Sequence, residues 1–210
     1  MMNYKNTPAF IFDFDGTLAN TFDIVVRAMN QFSEHYGYEP VSEDRIDYLR
    51  GLPAHQVLKS LGIPWYKVPD MILRFQRYVK DHMVEVELFP SVVDALMMLK
   101  SRGHILGIIT SNSRENVTLL LKKHECETLD FIHSSRHLLG KATTLKKVIK
   151  QWGLDKNLVY YIGDETRDID AARSCGIKSV AVTWGFNKRT VLEAHKPDYL
   201  VDSLDDLLSI

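Results

Sequence analysis

Six short apolar runs rich in β-branched and aromatic residues punctuate the chain: "AFIFDF" (9–14), "ILGIIT" (105–110), "DFIHS" (130–134), "LVYYIG" (158–163), "SVAVT" (179–183) and "DYLV" (198–201). Runs so short and so uniformly apolar read as strands buried on both faces. Helical stretches lie between them. "SVVDALMMLKSRG" offers Ser91 as N-cap and Gly103 as stop, and "RDIDAARSCG" ends at Gly176. Strands alternating with helices require right-handed crossovers, hence a parallel sheet covered on both sides, the α/β class. Residues 20 to about 86 break the rhythm. "TFDIVVRAMNQFSEHYG", "AHQVLKSLG" and "PDMILRFQRYVKDHM" are helical patterns with no convincing strand among them, so a helical insertion after the first strand is expected.

The 210 residues suffice for one domain with a large insertion or for two small ones. Lys+Arg 26 against Asp+Glu 27 leaves neither a basic nucleic-acid surface nor an acidic tail. No apolar run approaches the roughly 20 residues that span a bilayer, and "MMNYKNTPAF" lacks the pattern of a signal peptide. Cys126 and Cys175 stand far apart without a CxxC pair, which points to reduced thiols and a cytoplasmic protein.

Two of the strands end in acidic clusters or carry them just past the end. In "FIFDFDGTLANT" (10–21), Asp13 and Asp15 stand two positions apart, so a strand-like period turns both carboxylates one way and Phe14 into the core. Close carboxylates repel, and a shared cation would resolve this; a solvated Asp-Gly turn is the plainer alternative. A calcium loop is disfavoured, because Leu18 and Ile24 stand where glycine and glutamate are needed. In "YYIGDETRDIDAA" (160–172), Asp164 closes a strand and Asp168 falls in the first turn of a helix beginning near Arg167, where it can face the same pocket or merely complement the helix terminus. Carboxylates from two strand ends describe an oxygen-ligand magnesium site. Between these clusters, Thr110 and Ser111 in "GIITSNS" can present a hydroxyl and an N–H to a phosphate oxygen, while Ser113 suits a helix cap. Lys141, before an amphipathic helix, can neutralise a phosphate and the nearby carboxylates.

Taken in order, Asp13-x-Asp15-Gly16-Thr17, Thr110, Lys141 and Gly163-Asp164-x-x-x-Asp168 resemble the four motifs of the haloacid dehalogenase-like (HAD) hydrolase superfamily, over nearly the whole chain. The inserted helices look like that family's C1 cap, and the chain most resembles its phosphoglycolate-phosphatase-like members. The resemblance implies a Rossmann-like core from residues 1–19 and 87–210 and a helical cap over 20–86. It implies that Asp13 attacks phosphorus, that Asp15 protonates the leaving oxygen and then deprotonates water, and that Mg²⁺ is held by the Asp13 side chain, the Asp15 backbone carbonyl and Asp164, with Asp168 supporting. Thr110 and Lys141 would hold the transferring phosphoryl group. A small phosphorylated metabolite is the implied substrate.

Two positions depart from related phosphatases. Ala19-Asn20-Thr21 replaces a Val-Asp-Ser-like stretch, and Ala142 stands where proline often follows the lysine, which weakens any claim for phosphoglycolate itself. Asp15 argues against dehalogenation; a phosphomutase, or a binding protein without turnover, would keep the same motifs. Glu165 is read as part of the site's rim. In "DYLRGLPAHQVLKSLG" (47–62), Arg50 and Gly51 precede a helix with Pro53 suited to its first turn and His55 close behind, so this loop can bring Arg50 over the site to meet an anionic group, or Arg50 is an ordinary surface arginine.

Overall fold

Every one of the six apolar runs forms a strand in the computed structural model, which describes residues 4, 6–134 and 140–210: β1 (Ala9–Phe12), β2 (Ile105–Thr110), β3 (Phe131–Ser134), β4 (Val159–Gly163), β5 (Lys178–Val182) and β6 (Tyr199–Val201). Residues 1–3 and 5, part of the stretch read as lacking a signal peptide, lie outside the described residues. The strands pair in the order β3-β2-β1-β4-β5-β6, all parallel. The order reverses beside β1, so a crevice opens at the carboxyl ends of β1 and β4.

Alternation along each strand sorts the core into two faces. Phe10, Phe12, Leu106, Ile108 and Ile162 pack with α5 (Val92–Ser101) and α6 (Arg114–Lys123). Ala9, Ile11, Ile109 and Tyr161 pack with α7 (Lys141–Trp152) and α8 (Thr166–Cys175). Two short helices, α9 (Arg189–Ala194) and α10 (Leu204–Leu207), flank the last strand. Cys126 and Cys175 are buried free thiols. Among the described residues no helix is long and apolar enough to cross a membrane.

Between β1 and β2 lie α1 (Phe22–Tyr36), α2 (Glu43–Arg50), α3 (Ala54–Ser60) and α4 (Val68–Asp81). They gather an apolar cluster of their own, with Tyr36, Val41, Leu49, Leu61, Ile63 and Met71 buried at its centre. The chain leaves and re-enters the sheet side by side: Phe89 N–H donates to the Leu18 carbonyl and Asn20 N–H to the Glu87 carbonyl, both at 2.9 Å, around an antiparallel Ala19–Leu88 bridge.

β1 stops at Phe12, so Asp13 and Asp15 lie just past the strand. Several local expectations need correction. Ser91 precedes α5 but has φ 65° and makes no capping hydrogen bond, because side-chain capping needs an extended N-cap residue. Arg50 ends α2 rather than sitting in a loop, and Pro53 occupies the N-cap of α3, not its first turn. Ser113 does cap α6, accepting from Asn116 N–H at 3.1 Å.

Candidate active site

Asp13 continues the β1 ladder by one bond, its N–H donating to the Ile162 carbonyl at 2.8 Å. Phe14 then turns into the core, where it is fully buried. At Gly16 the chain reverses with φ +76°, and a Cβ there would fall 2.3 Å from Asp164 Oδ2. Glycine is therefore demanded twice, by the left-handed backbone and by the approach of the second aspartate.

Asp164 follows β4 and is completely buried. Its Oδ1 accepts from the Thr17 hydroxyl and its Oδ2 from Phe186 N–H, each at 2.7 Å. Asp168 occupies the third position of α8, where Oδ2 accepts from Glu165 N–H at 3.1 Å in a reciprocal capping box. Its other oxygen accepts from Lys141 Nζ at 2.5 Å, and the same ammonium donates to Asp13 Oδ2 at 2.5 Å. Lys141 is thus a buried bridge between two carboxylates, not the exposed lysine common before a helix.

One oxygen each from Asp13, Asp164 and Asp168 lies within 4.8 Å of the others. Burial pushes the Asp13 carboxyl up to about 7, against the pull of Lys141 and with the repulsion of Asp168 added. Burial, reinforced by Glu165 and Asp13, drives Asp164 well above the usual carboxylate range. Burial works against the Lys141 ammonium, but Asp13 and Asp168 hold its pKa above the ordinary value. With the neighbouring Glu165–Arg167 pair counted, four acidic side chains face two basic ones, and a compact all-oxygen donor set of this kind fits a divalent cation.

Asp15 stands apart from this cluster. Its Oδ1 accepts from Asn112 Nδ2 at 3.0 Å, and Asn112 is itself fixed through Oδ1, which accepts from Ser113 N–H at 2.8 Å and Asn116 Nδ2 at 2.9 Å. Burial raises the Asp15 pKa despite the Asn112 hydrogen bond. A carboxyl so placed can hold a proton and release it.

The remaining expected residues divide. Thr110 ends β2 beside β1, with its hydroxyl oxygen accepting from Asn112 N–H at 2.9 Å. Ser111 borders the cavity between the sheet and the inserted helices, its carbonyl accepting from Gln76 Nε2 at 3.5 Å. Arg50 borders the same cavity, yet its Nε and Nη2 donate to the carbonyls of Phe186 (3.1 Å) and Gly185 (3.0 Å), with the guanidinium 5.2 Å from the Phe22 ring centre. Glu165 also borders the cavity and pairs with Arg167. Sequence reasoning did not single out Asn112 or Asn187. Asn187 accepts from Thr166 N–H at 3.0 Å and donates to the carbonyls of Arg50 (3.2 Å) and Leu52 (3.0 Å), joining the first turn of α8 to the inserted helices. Asn112 was within reach of sequence reasoning, as the amide in "TSNS"; Asn187 carries no local signal.

The family model described as haloacid dehalogenase-like hydrolase matches residues 10–182, spanning both aspartate clusters and Lys141. The chain belongs to this family. It is 37% identical over 201 residues to a phosphoglycolate phosphatase of Synechococcus elongatus, covering 95% of each protein. It is 29% identical over 206 residues to the pyrophosphatase PpaX of Bacillus mycoides, covering 95% of this chain and 94% of that one. Among solved structures, a haloacid dehalogenase-like family hydrolase from Streptococcus pneumoniae superposes with a TM-score of 0.79 at 25% identity, over 97% of both chains.

As a haloacid dehalogenase-like hydrolase, the protein places its acidic cluster at the switch of strand order, where α/β sheets bind ligands. The family generally works with a divalent metal, and among the described residues Asp13, Asp164 and Asp168 form a group that can hold one. Asp15 sits where this cluster meets the cavity under the inserted helices.

Proposed function

We infer that this hydrolase cleaves phosphate monoesters through a phosphorylated Asp13. The observation that carries the reading is the separation of two kinds of carboxylate two residues apart: Asp13 lies in the acidic cluster on Lys141, while Asp15 lies outside it on Asn112. Mg²⁺, held by Asp13, Asp164 and Asp168 with the Asp15 carbonyl, would supply positive charge that screens the phosphate from its carboxylate attacker. An Asp13 oxygen attacks phosphorus as the bond to the leaving oxygen breaks, and Asp15 gives that oxygen its proton. In the second displacement Asp15 takes a proton from water, the water oxygen bonds to phosphorus, and the phosphorus–Asp13 bond breaks to release phosphate and restore the carboxylate. Lys141 and the Thr110 hydroxyl hold phosphoryl oxygens, and Ser111 offers its N–H.

The same reading takes residues 1–19 and 87–210 as the catalytic core and 20–86 as a cap that shelters the reaction, with Arg50 at their junction. The substrate is a small phosphorylated metabolite, and the two free buried cysteines support a cytoplasmic setting. Asp13→Asn tests the proposal, since an amide of nearly the same shape cannot act as nucleophile. Mg²⁺-dependent phosphate release is expected to fall by at least about a thousandfold while circular dichroism and melting remain those of a folded protein. Substantial turnover by the folded variant would overturn it.

A further inference from the structure

The cavity above Asp15 has a volume of about 320 Å³, at the lower end of the range for pockets that enclose a small organic ligand. Its charged lining residues are Asp15, Arg50, Glu165 and Arg167. Three of these belong to the sheet side, and the fourth, Arg50, ends α2 with its guanidinium on the core carbonyls of Gly185 and Phe186. The opposite end is built from α1, α3 and α4 and is walled by such residues as Val26, Met29, Val57, Leu58, Met71 and Phe75. Gln76, beside Ser111, is the polar side chain that α4 adds. The cavity is therefore polar where it meets Asp15 and apolar away from it.

This polarity constrains what can be attached to the phosphate. The group that leaves with the oxygen protonated by Asp15 must extend from Asp15 into the cavity. A carboxylate pushed among Met29, Val57 and Met71 would lose its hydration without gaining a partner. Methylene or aromatic carbon would instead be removed from water. We propose that the substrate is a phosphate monoester of an apolar alcohol, one whose aliphatic or aromatic body fills the space under α1, α3 and α4, and that a short anionic ester such as phosphoglycolate is a poor fit. The inference rests on the phosphomonoesterase reading, because Asp15 marks the leaving-group side only if it serves as the acid.

Alkylphosphonates, which keep the phosphoryl dianion but cannot be hydrolysed, separate the two readings. Titrated calorimetrically into the full chain with Mg²⁺, hexylphosphonate should bind at least about tenfold more tightly than methylphosphonate, a difference of about 1.4 kcal/mol. Val57→Asp, which adds a charge to the apolar wall, and Ala54→Phe, which fills space without charge, should each reduce that ratio severalfold. In parallel, kcat/KM for ethyl, butyl and hexyl phosphates, whose alcohols differ little in acidity, should rise with chain length, and butyl phosphate should be preferred to phosphoglycolate. Equal binding of the short and long phosphonates, a ratio unchanged in both variants, or a preference for phosphoglycolate overturns the apolar-alcohol assignment and leaves the phosphatase reading intact. Chain-length-dependent binding with no turnover of any monoester does the reverse: it removes the phosphatase reading and upholds a site for an apolar-tailed phosphoryl ligand.

Discussion

Lys141 shows how much one side chain carries. Its ammonium holds Asp13 and Asp168 together in a place closed to water. Lys141→Met keeps the length and apolar stem but leaves two buried carboxylates facing each other without the ammonium that bridges them. Losing one partner of a buried pair costs about 3–5 kcal/mol, so urea denaturation of the metal-free variant at pH 8 should show a loss of that order; wild-type stability would contradict the bridge. Asp15 makes a prediction of another kind. Asp15→Asn should severely slow single-turnover phosphoryl transfer from an alkyl phosphate and much less from an aryl phosphate whose leaving oxygen needs little protonation. Equal losses would remove Asp15 as the acid. The positions of Asp13, Asp15 and Asp164 were legible in the sequence because they follow or close an apolar run, and that of Asp168 because it falls in the first turn of the helix after one. Asn112 was legible only as an amide in "TSNS", because the carboxylate it reaches lies 97 positions away in the chain.

Among the elements, the strands were the most legible, since a parallel sheet buried on both faces leaves nearly continuous apolar runs. Helix α2 was the least. "EDRIDYLR" is mostly charged, and only Leu49 among its residues is fully buried, so its helical period has almost no apolar mark. The loop after β5 was equally silent, because it acts through backbone: Phe186 N–H meets Asp164, and the carbonyls of Gly185 and Phe186 receive Arg50. Asn187 in that loop links three segments. Asn187→Ala would strip the first turn of α8 of an acceptor and the Arg50 and Leu52 carbonyls of a donor. The expected loss is about 1–3 kcal/mol by chemical denaturation, against less than about 0.5 kcal/mol for Asn157→Ala, whose side chain bonds only to neighbouring Asp155.

For the whole molecule, the acidic cluster couples cation binding to the stability of the fold, since its three carboxylates come from the loops just past β1 and β4 and from the first turn of α8 and assemble only when the sheet does. Mg²⁺ at about a hundred times its dissociation constant should add about 2.7 kcal/mol. For a chain of this length that corresponds to a melting temperature higher by about 5–10 °C. Scanning calorimetry with and without Mg²⁺ would read it, and Asp164→Asn should abolish the shift; an equal shift in that variant would place the cation elsewhere. The paired segments at Leu18–Asn20 and Glu87–Phe89 bear on how the chain reaches this state at all. β1 and β2 are neighbours in the sheet, yet residues 13–104 separate them in sequence. Once the inserted helices have collapsed on their own apolar cluster, their two ends already lie together, and the search for the β1–β2 register becomes that of a short loop. Each halving of effective loop length lowers the closure cost by about 0.6 kcal/mol, so an insertion that had already collapsed would act as a tether, lowering the closure cost of the β1–β2 pairing below that of an unstructured loop of the same length.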